Sequence, residues 1–170
     1  MKIYCDTSSL FSNADRHKKD SKAQREATAI SRLLGLHRQG KVQLVRSNVV
    51  RRELEKTSDV TQRDALFNDF LEIVPVANDE KVLGIDEQIT DPFGGFATSP
   101  LVSDVQDEGF FEKLKKQFSL KKFDAQHLAQ ALSNGSDVFL TRDEKHFLKP
   151  TQRQAIEKDY NIKIRLPSEV

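Results

Sequence analysis

The sequence predicts an α/β fold in which helices cover both faces of a mostly parallel central sheet. Short runs of β-favouring residues alternate with longer segments of helical periodicity along the chain, and this alternation is typical of parallel sheets. Two of the predicted strands are followed at once, or within two residues, by an aspartate, Asp6 and Asp143. Sites in such folds form at the carboxyl ends of the strands. These two acids are therefore the first candidate site residues.

The composition predicts a single domain over residues 1–170, with a longer helical and loop segment at about 60–120. A chain of 170 residues is long enough to bury a sizeable core. No window approaches the roughly 20 apolar residues of a membrane span, and Asp6 interrupts the first apolar run too early for a signal peptide. Because the chain has one cysteine, a disulfide framework is excluded and we expect a cytoplasmic location. The net charge of +1 indicates no class of partner.

The first predicted strand is "KIYC", residues 2–5, which ends at Asp6 and a cluster of hydroxyl residues, 7–9. Residues 22–41 repeat apolar side chains at helical spacing, and Gly40 marks the end of that helix.

A second strand is predicted over residues 42–47, followed by a helix over 49–56 that Ser47 or Asn48 can cap. Helical spacing also covers residues 60–72. The run "IVPV" comes next, and its Pro75 excludes a central strand there.

Residues 91–100, "DPFGGFATSP", form the clearest predicted loop. Phe93 and Phe96 within it are candidates for stacking on bases. Ser103 with Gln106 resembles a capping box at the start of the next helix.

The carboxyl-terminal part predicts a helix over residues 123–135, which stops at Asn134 and Gly135. A buried strand follows over 137–141, and "YNIKIRLP" supplies the last strand over 160–167.

Two further acids lie where acids are unusual. Glu53 shares the face of its predicted helix with Val49 and Val50, and an acid among apolar residues is paired, snorkelling or bound to a ligand. Asp124 lies at the start of its helix, where a role as N-cap would also explain it. Each acid alone is more often structural than catalytic. If all four acids converged on one pocket, their carboxylates would repel one another strongly unless a hard cation such as Mg²⁺ or Mn²⁺ neutralised them.

The chain resembles the PIN-domain ribonucleases, including VapC-like toxins, in four pieces that occur in order. They are "IYCDTSSLF", "SNVVRREL", "FDAQHLAQAL" and "DVFLTRDEKHF". The resemblance implies a PIN-like three-layer α/β/α fold and a metal-dependent endoribonuclease that leaves a 5′-phosphate and a 3′-hydroxyl. It also implies that an acidic quartet binds one or two Mg²⁺ or Mn²⁺ ions: Asp6, Glu53, Asp124 and Asp143.

Other residues take expected roles from the same resemblance. Ser8 and Thr141 match small polar residues that assist the first and last acids, and we expect Arg142 and Lys145 to meet substrate phosphates or to lie in a solvated loop. The implied partners are an RNA substrate, an antitoxin protein of a type II toxin–antitoxin pair and a second copy of the chain. The span between Glu53 and Asp124 is longer than in compact toxins, which weakens the toxin assignment more than the nuclease assignment.

The alternative function is a non-catalytic PIN-like module that binds RNA or protein. Four mutually repelling acids favour catalysis over this alternative. We expect His127 and His146 to be surface or second-shell residues and Cys5 to be a buried thiol. Basic clusters, for example Lys121 with Lys122, are solvated helix faces or part of a phosphate-contacting rim.

Three other classes are excluded by missing residues. A haloacid-dehalogenase phosphatase needs a second acid at the position of Ser8, and a receiver domain needs adjacent acids after the first strand. A nucleotide-binding loop needs more glycines after a strand than Gly94 and Gly95 provide.

Overall fold

The central element is a five-stranded sheet in which all strands are parallel, as predicted. The computed structural model describes residues 1–14, 21–56, 71–76, 82–83, 102–103 and 108–170. The strands of this sheet are β1 (Lys2–Cys5), β2 (Gln43–Arg46), β3 (Val74–Pro75), β6 (Val138–Leu140) and β7 (Lys163–Arg165). Their order across the sheet is β3-β2-β1-β6-β7. A separate antiparallel pair consists of β4 (Val82–Leu83) and β5 (Val102–Ser103).

Six α-helices lie within the described residues, and a short 3-10 helix spans Pro167–Glu169. The α-helices are α1 (Thr7–Ala14), α2 (Ser21–Arg38), α3 (Asn48–Glu55), α4 (Glu108–Gln117), α5 (Lys122–Ser133) and α6 (Pro150–Tyr160). Of these described helices, none is long and apolar enough to cross a membrane.

Side chains that alternate along β1 divide the interior into two hydrophobic cores. Ile3 and Cys5 point to the core formed with α1, α2 and α3, whereas Tyr4 packs in the core formed with α4, α5 and α6. This alternation follows from the two-residue period of a strand. Helices therefore cover both faces of the sheet, consistent with a three-layer α/β/α arrangement.

Two predicted helix ends are confirmed by glycines in the left-handed region. Gly40 has φ +69° just after α2, and Gly135 has φ +61° just after α5. A side chain at either position would strain the backbone, so glycine ends these helices at low cost.

The helix that follows the predicted 91–100 loop was predicted to begin at Ser103, and this was wrong. Ser103 lies in β5, where it pairs with Val82, and α4 is described from Glu108. The local Ser-x-x-Gln pattern favours a helix start, but strand pairing with a distant segment decides the backbone here. The helix predicted over 60–72, apart from 71–72, and the loop predicted over 91–100 lie outside the described residues.

The strand order positions the candidate site. The chain passes from β1 to β2 on one side, whereas β6 pairs with β1 on the other side. Such a reversal opens a crevice beyond the carboxyl ends of the strands. Asp6, Ser47 and Thr141 follow β1, β2 and β6 directly and therefore lie at this edge. Pro75 lies in β3 at an outer position of the sheet, as predicted.

Candidate metal centre

Asp6 is buried at the end of β1, with 5% of its surface exposed. Ser8 Oγ donates to both carboxylate oxygens, at 2.9 and 3.1 Å, and the Ser9 amide donates to Oδ1 at 2.8 Å. The Ser9 contact is an N-cap arrangement for α1, so Asp6 also has a structural role. Burial raises the pKa of Asp6 to about 6, although nearby His127 and hydrogen bonds from Thr141, Ser9 and Ser8 oppose the rise.

Ser8 and Thr141 link the ends of the two central strands. Ser8 Oγ accepts a hydrogen bond from the Arg142 amide at 2.8 Å and lies 3.3 Å from Thr141 Oγ1. Thr141 Oγ1 accepts in turn from the Asp143 amide at 3.0 Å. These hydroxyls therefore fix the positions of Asp6 and Asp143 relative to each other.

Asp143 begins a tight turn beyond β6. Its Oδ1 accepts from the amides of Lys145 and His146 at 2.8 and 3.0 Å, and its Oδ2 lies 2.7 Å from His146 Nδ1. Burial would raise the pKa of Asp143, but the hydrogen bonds from His146 and Lys145 outweigh it and hold that pKa below its usual value. Asp143 is thus an ionised carboxylate at neutral pH.

Asp124 lies in the first turn of α5 but is not its N-cap, which is Lys121. The Asp124 Oδ2 atom is buried and has no hydrogen-bond partner among the described residues. Burial raises the pKa of Asp124, and so do the nearby carboxylates of Asp143 and Glu53, while His146 and His127 lower it. A helix cap does not account for this carboxylate, because its buried oxygen is left without a donor.

Glu53, on α3, is held by two side chains. Thr7 Oγ1 donates to Glu53 Oε2, and His127 Nε2 lies 2.8 Å from the same oxygen. Burial alone would raise the pKa of Glu53, but these bonds and nearby Lys56 lower it below its usual value. The acid is therefore kept ionised beside Asp124.

His127 is part of a buried hydrogen-bonded chain behind Glu53. The side chain is 3% exposed, so His127 does not lie at the surface, which was one of its two expected positions. Its Nδ1 lies 2.8 Å from Tyr4 OH, and Tyr4 OH lies 2.5 Å from Ser47 Oγ. Ser47 is the N-cap residue of α3 but makes no side-chain cap bond. The sequence signal for this burial was that no Asp, Glu, Lys or Arg follows Asp124 within α5. Such a composition is typical of a helix that is buried on all sides.

Three side chains offer ligand atoms that all lie within 4.8 Å of one another: Asp124, Asp143 and His146. Asp6 and Glu53 fall outside this group among the described residues, although Glu53 lies close enough for its charge to raise the pKa of Asp124. His146 is the member that sequence reasoning assigned no ligand role. Its position three residues after Asp143 was visible, but its approach to Asp124, 3.4 Å between Nδ1 and Oδ2, depends on tertiary packing.

The remaining candidates make other contacts. Arg142 is half-buried and Lys145 is exposed, and their amides bind Ser8 and Asp143 respectively. Arg153 Nη2 lies 3.0 Å from Glu169 Oε2, so this basic side chain pairs within the protein. Cys5 is buried on the face of β1 opposite to Tyr4, and burial raises the pKa of its thiol, as expected of a core residue.

The donor set fits a divalent cation. Two carboxylates and an imidazole are ligand types that such ions accept, and the unpartnered Asp124 Oδ2 is the kind of buried oxygen that a cation satisfies. No protein-family model and no curated protein matches this chain. The contacts of these residues therefore carry any assignment of function.

Proposed function

We propose that the chain is a metal-dependent endoribonuclease that hydrolyses RNA phosphodiester bonds in the cytoplasm. The observation that carries the proposal is the convergence of Asp124, with its unpartnered buried oxygen, on Asp143 and His146 at the carboxyl edge of the sheet. The order of four acid-bearing segments, which resembles that of PIN-domain ribonucleases, supports the same reading.

We assign different roles to the acids of the site. Asp124 and Asp143 would hold a Mg²⁺ or Mn²⁺ ion, with Asp6 next to them at the end of β1. When bound, such an ion supplies Lewis-acid stabilisation of a phosphate and a water of lowered pKa. Glu53, fixed by Thr7 and His127, is positioned to accept a hydrogen bond from water at the site.

Substrate phosphates require positive charge near these acids. Arg142 and Lys145 flank Asp143 along the chain and are the candidates for that contact. Attack of water on phosphorus with breakage of the bond to the 3′-oxygen would leave a 5′-phosphate and a 3′-hydroxyl. A toxin role would require an antitoxin partner and growth arrest on expression of the chain without it.

The direct test is cleavage of end-labelled pooled RNA with added Mn²⁺. We expect the wild type to cleave and Asp143→Asn to lose activity by about 100-fold or more, because a charged metal ligand becomes neutral. Asp137→Asn is the matched control. Asp137 precedes β6 at the opposite end of the strand, and its carboxylate accepts from the Lys2 amide, which an amide oxygen can still do.

The products also test the chemistry. Ligation that requires a 5′-phosphate should succeed on the cleaved RNA without prior kinase treatment. RNA binding without cleavage, unchanged by Asp143→Asn, would contradict the proposal and favour a non-catalytic binding module.

A further inference from the structure

We propose that His146 is a metal ligand and that the centre therefore prefers first-row transition ions such as Mn²⁺ to Mg²⁺. The inference rests on the proposed metal centre and adds a nitrogen donor that the four predicted acids do not supply. It concerns a residue outside the acidic quartet.

The spacing of the three donor atoms supports a shared ion. His146 Nδ1 lies 2.7 Å from Asp143 Oδ2 and 3.4 Å from Asp124 Oδ2. Two atoms in adjacent positions around one ion, each with a bond of about 2.1 Å, lie about 3 Å apart. The two distances from His146 fall on either side of that value, and all three donor atoms lie within 4.8 Å of one another.

The hydrogen bonds of Asp143 leave its Oδ2 atom to bind the ion. Its Oδ1 accepts from the amides of Lys145 and His146, whereas its Oδ2 faces the His146 ring. The turn therefore fixes the orientation of the carboxylate before any ligand binds.

A purely structural histidine explains only part of the arrangement. Pairing with Asp143 accounts for the 2.7 Å contact, but Asp124 Oδ2 is buried 3.4 Å from the same ring nitrogen and makes no hydrogen bond among the described residues. Two adjacent carboxylates also repel each other when both are ionised. A cation shared by all three residues satisfies the buried oxygen and offsets this repulsion.

The choice of ion follows from ligand chemistry. Mg²⁺ takes oxygen ligands and retains much of its water, whereas imidazole is a good ligand for transition ions. A site with one imidazole and two carboxylates should hold Mn²⁺ more tightly than an all-oxygen site would. Mg²⁺ should gain little from the same nitrogen.

Calorimetry on the metal-stripped full chain tests the preference with Mn²⁺ and Mg²⁺ as probes. We expect the wild type to bind Mn²⁺ at least about 10-fold more tightly than Mg²⁺, and His146→Ala to weaken Mn²⁺ binding by about 10- to 100-fold. Mg²⁺ affinity should change much less. His37→Ala is the control, since the His37 ring contacts Val42 and Leu44 beside β2.

A spectroscopic measurement on the wild type avoids any effect of substitution on folding. Electron spin echo measurements on the Mn²⁺-loaded chain should show coupling to a directly bound nitrogen, and His146→Ala should lose that coupling. Absence of the coupling in the wild type would overturn the inference.

The binding experiments distinguish failure of this inference from failure of the proposed function. If Asp143→Asn abolishes Mn²⁺ binding but His146→Ala does not, the ion is held by carboxylates and the role of His146 is refuted alone. If the folded wild type binds neither ion, the metal centre fails and the nuclease proposal fails with it.

Discussion

Tyr4 shows how one buried side chain connects the core to the candidate site. Its ring stacks on Phe139 of β6, with centroids 5.7 Å apart, and its hydroxyl contacts both Ser47 and His127. His127 in turn contacts Glu53. Hydrogen bonds of this kind fix the orientation of an acid such as Glu53 through residues buried beneath it.

Replacing Tyr4 with phenylalanine tests this chain. The ring packing is retained, but Ser47 and His127 lose a buried partner, so we expect Tyr4→Phe to lower the free energy of unfolding by about 1 to 3 kcal/mol. Urea denaturation measures the change. Tyr160→Phe is the matched control, because the Tyr160 hydroxyl bonds Gln117 at the surface, and it should cost less than about 0.5 kcal/mol. Equal effects of the two substitutions would contradict the buried network.

At the scale of elements, Glu157 joins helix α6 to strand β7. Its Oε1 accepts from the Ile164 amide at 2.8 Å and from Arg165. Burial would raise the pKa of Glu157, but these bonds and the nearby Arg153 outweigh it and lower that pKa. A lowered pKa in the folded state means that ionised Glu157 stabilises the fold.

The pH dependence follows from the direction of that shift. The stabilisation by Glu157 is complete above the ordinary glutamate pKa of about 4.3 and is lost as the pH falls through the lower pKa of the folded state. Glu157→Gln should therefore lower the free energy of unfolding at pH 7 by about 1 to 2 kcal/mol, and less at low pH.

The matched control for this effect is Glu144→Gln. Glu144 pairs with Lys22 at the surface, and such exposed pairs contribute about 0 to 1 kcal/mol. Chemical denaturation across the acidic range gives both differences. A Glu157→Gln deficit that does not shrink as the pH falls would rule out the ionised carboxylate as its source.

The elements around the site were predictable because their signals are local. The run before Asp6 and the run before Thr141 each combine β-favouring side chains with an abrupt polar end, and both are strands. Ser103 illustrates the limit, because its pairing with Val82 is a contact between segments distant in sequence. Capping patterns do not encode such contacts.

The site was predictable only in part, for the same reason. Placing Asp6 and Asp143 at one edge required only parallel neighbouring strands, which β1 and β6 are. The approach of His146 to Asp124 depends on how the turn after β6 packs against α5. The spacing of residues along the sequence does not predict this packing. The roles of the four acids stay predictions.

At the scale of the whole molecule, the sheet order determines where chemistry can occur. β1 lies in the middle of the five strands and pairs with β2 on one side and β6 on the other. Helices from both cores lie at the carboxyl edge of the sheet. Glu53 therefore lies there on α3, on one face of the sheet, and Asp124 lies there on α5, on the other face. Glu53 lies close enough to raise the pKa of Asp124, but it falls outside the group of Asp124, Asp143 and His146.

The most direct test of the central claim is calorimetric titration of Mn²⁺ into the metal-stripped chain. The account predicts one site that Asp124→Asn and Asp143→Asn each weaken by about 10-fold or more, while Asp137→Asn binds like the wild type. A folded wild type that binds no Mn²⁺, or an Asp124→Asn variant that binds it with unchanged affinity, would contradict the claim that these residues form a metal centre.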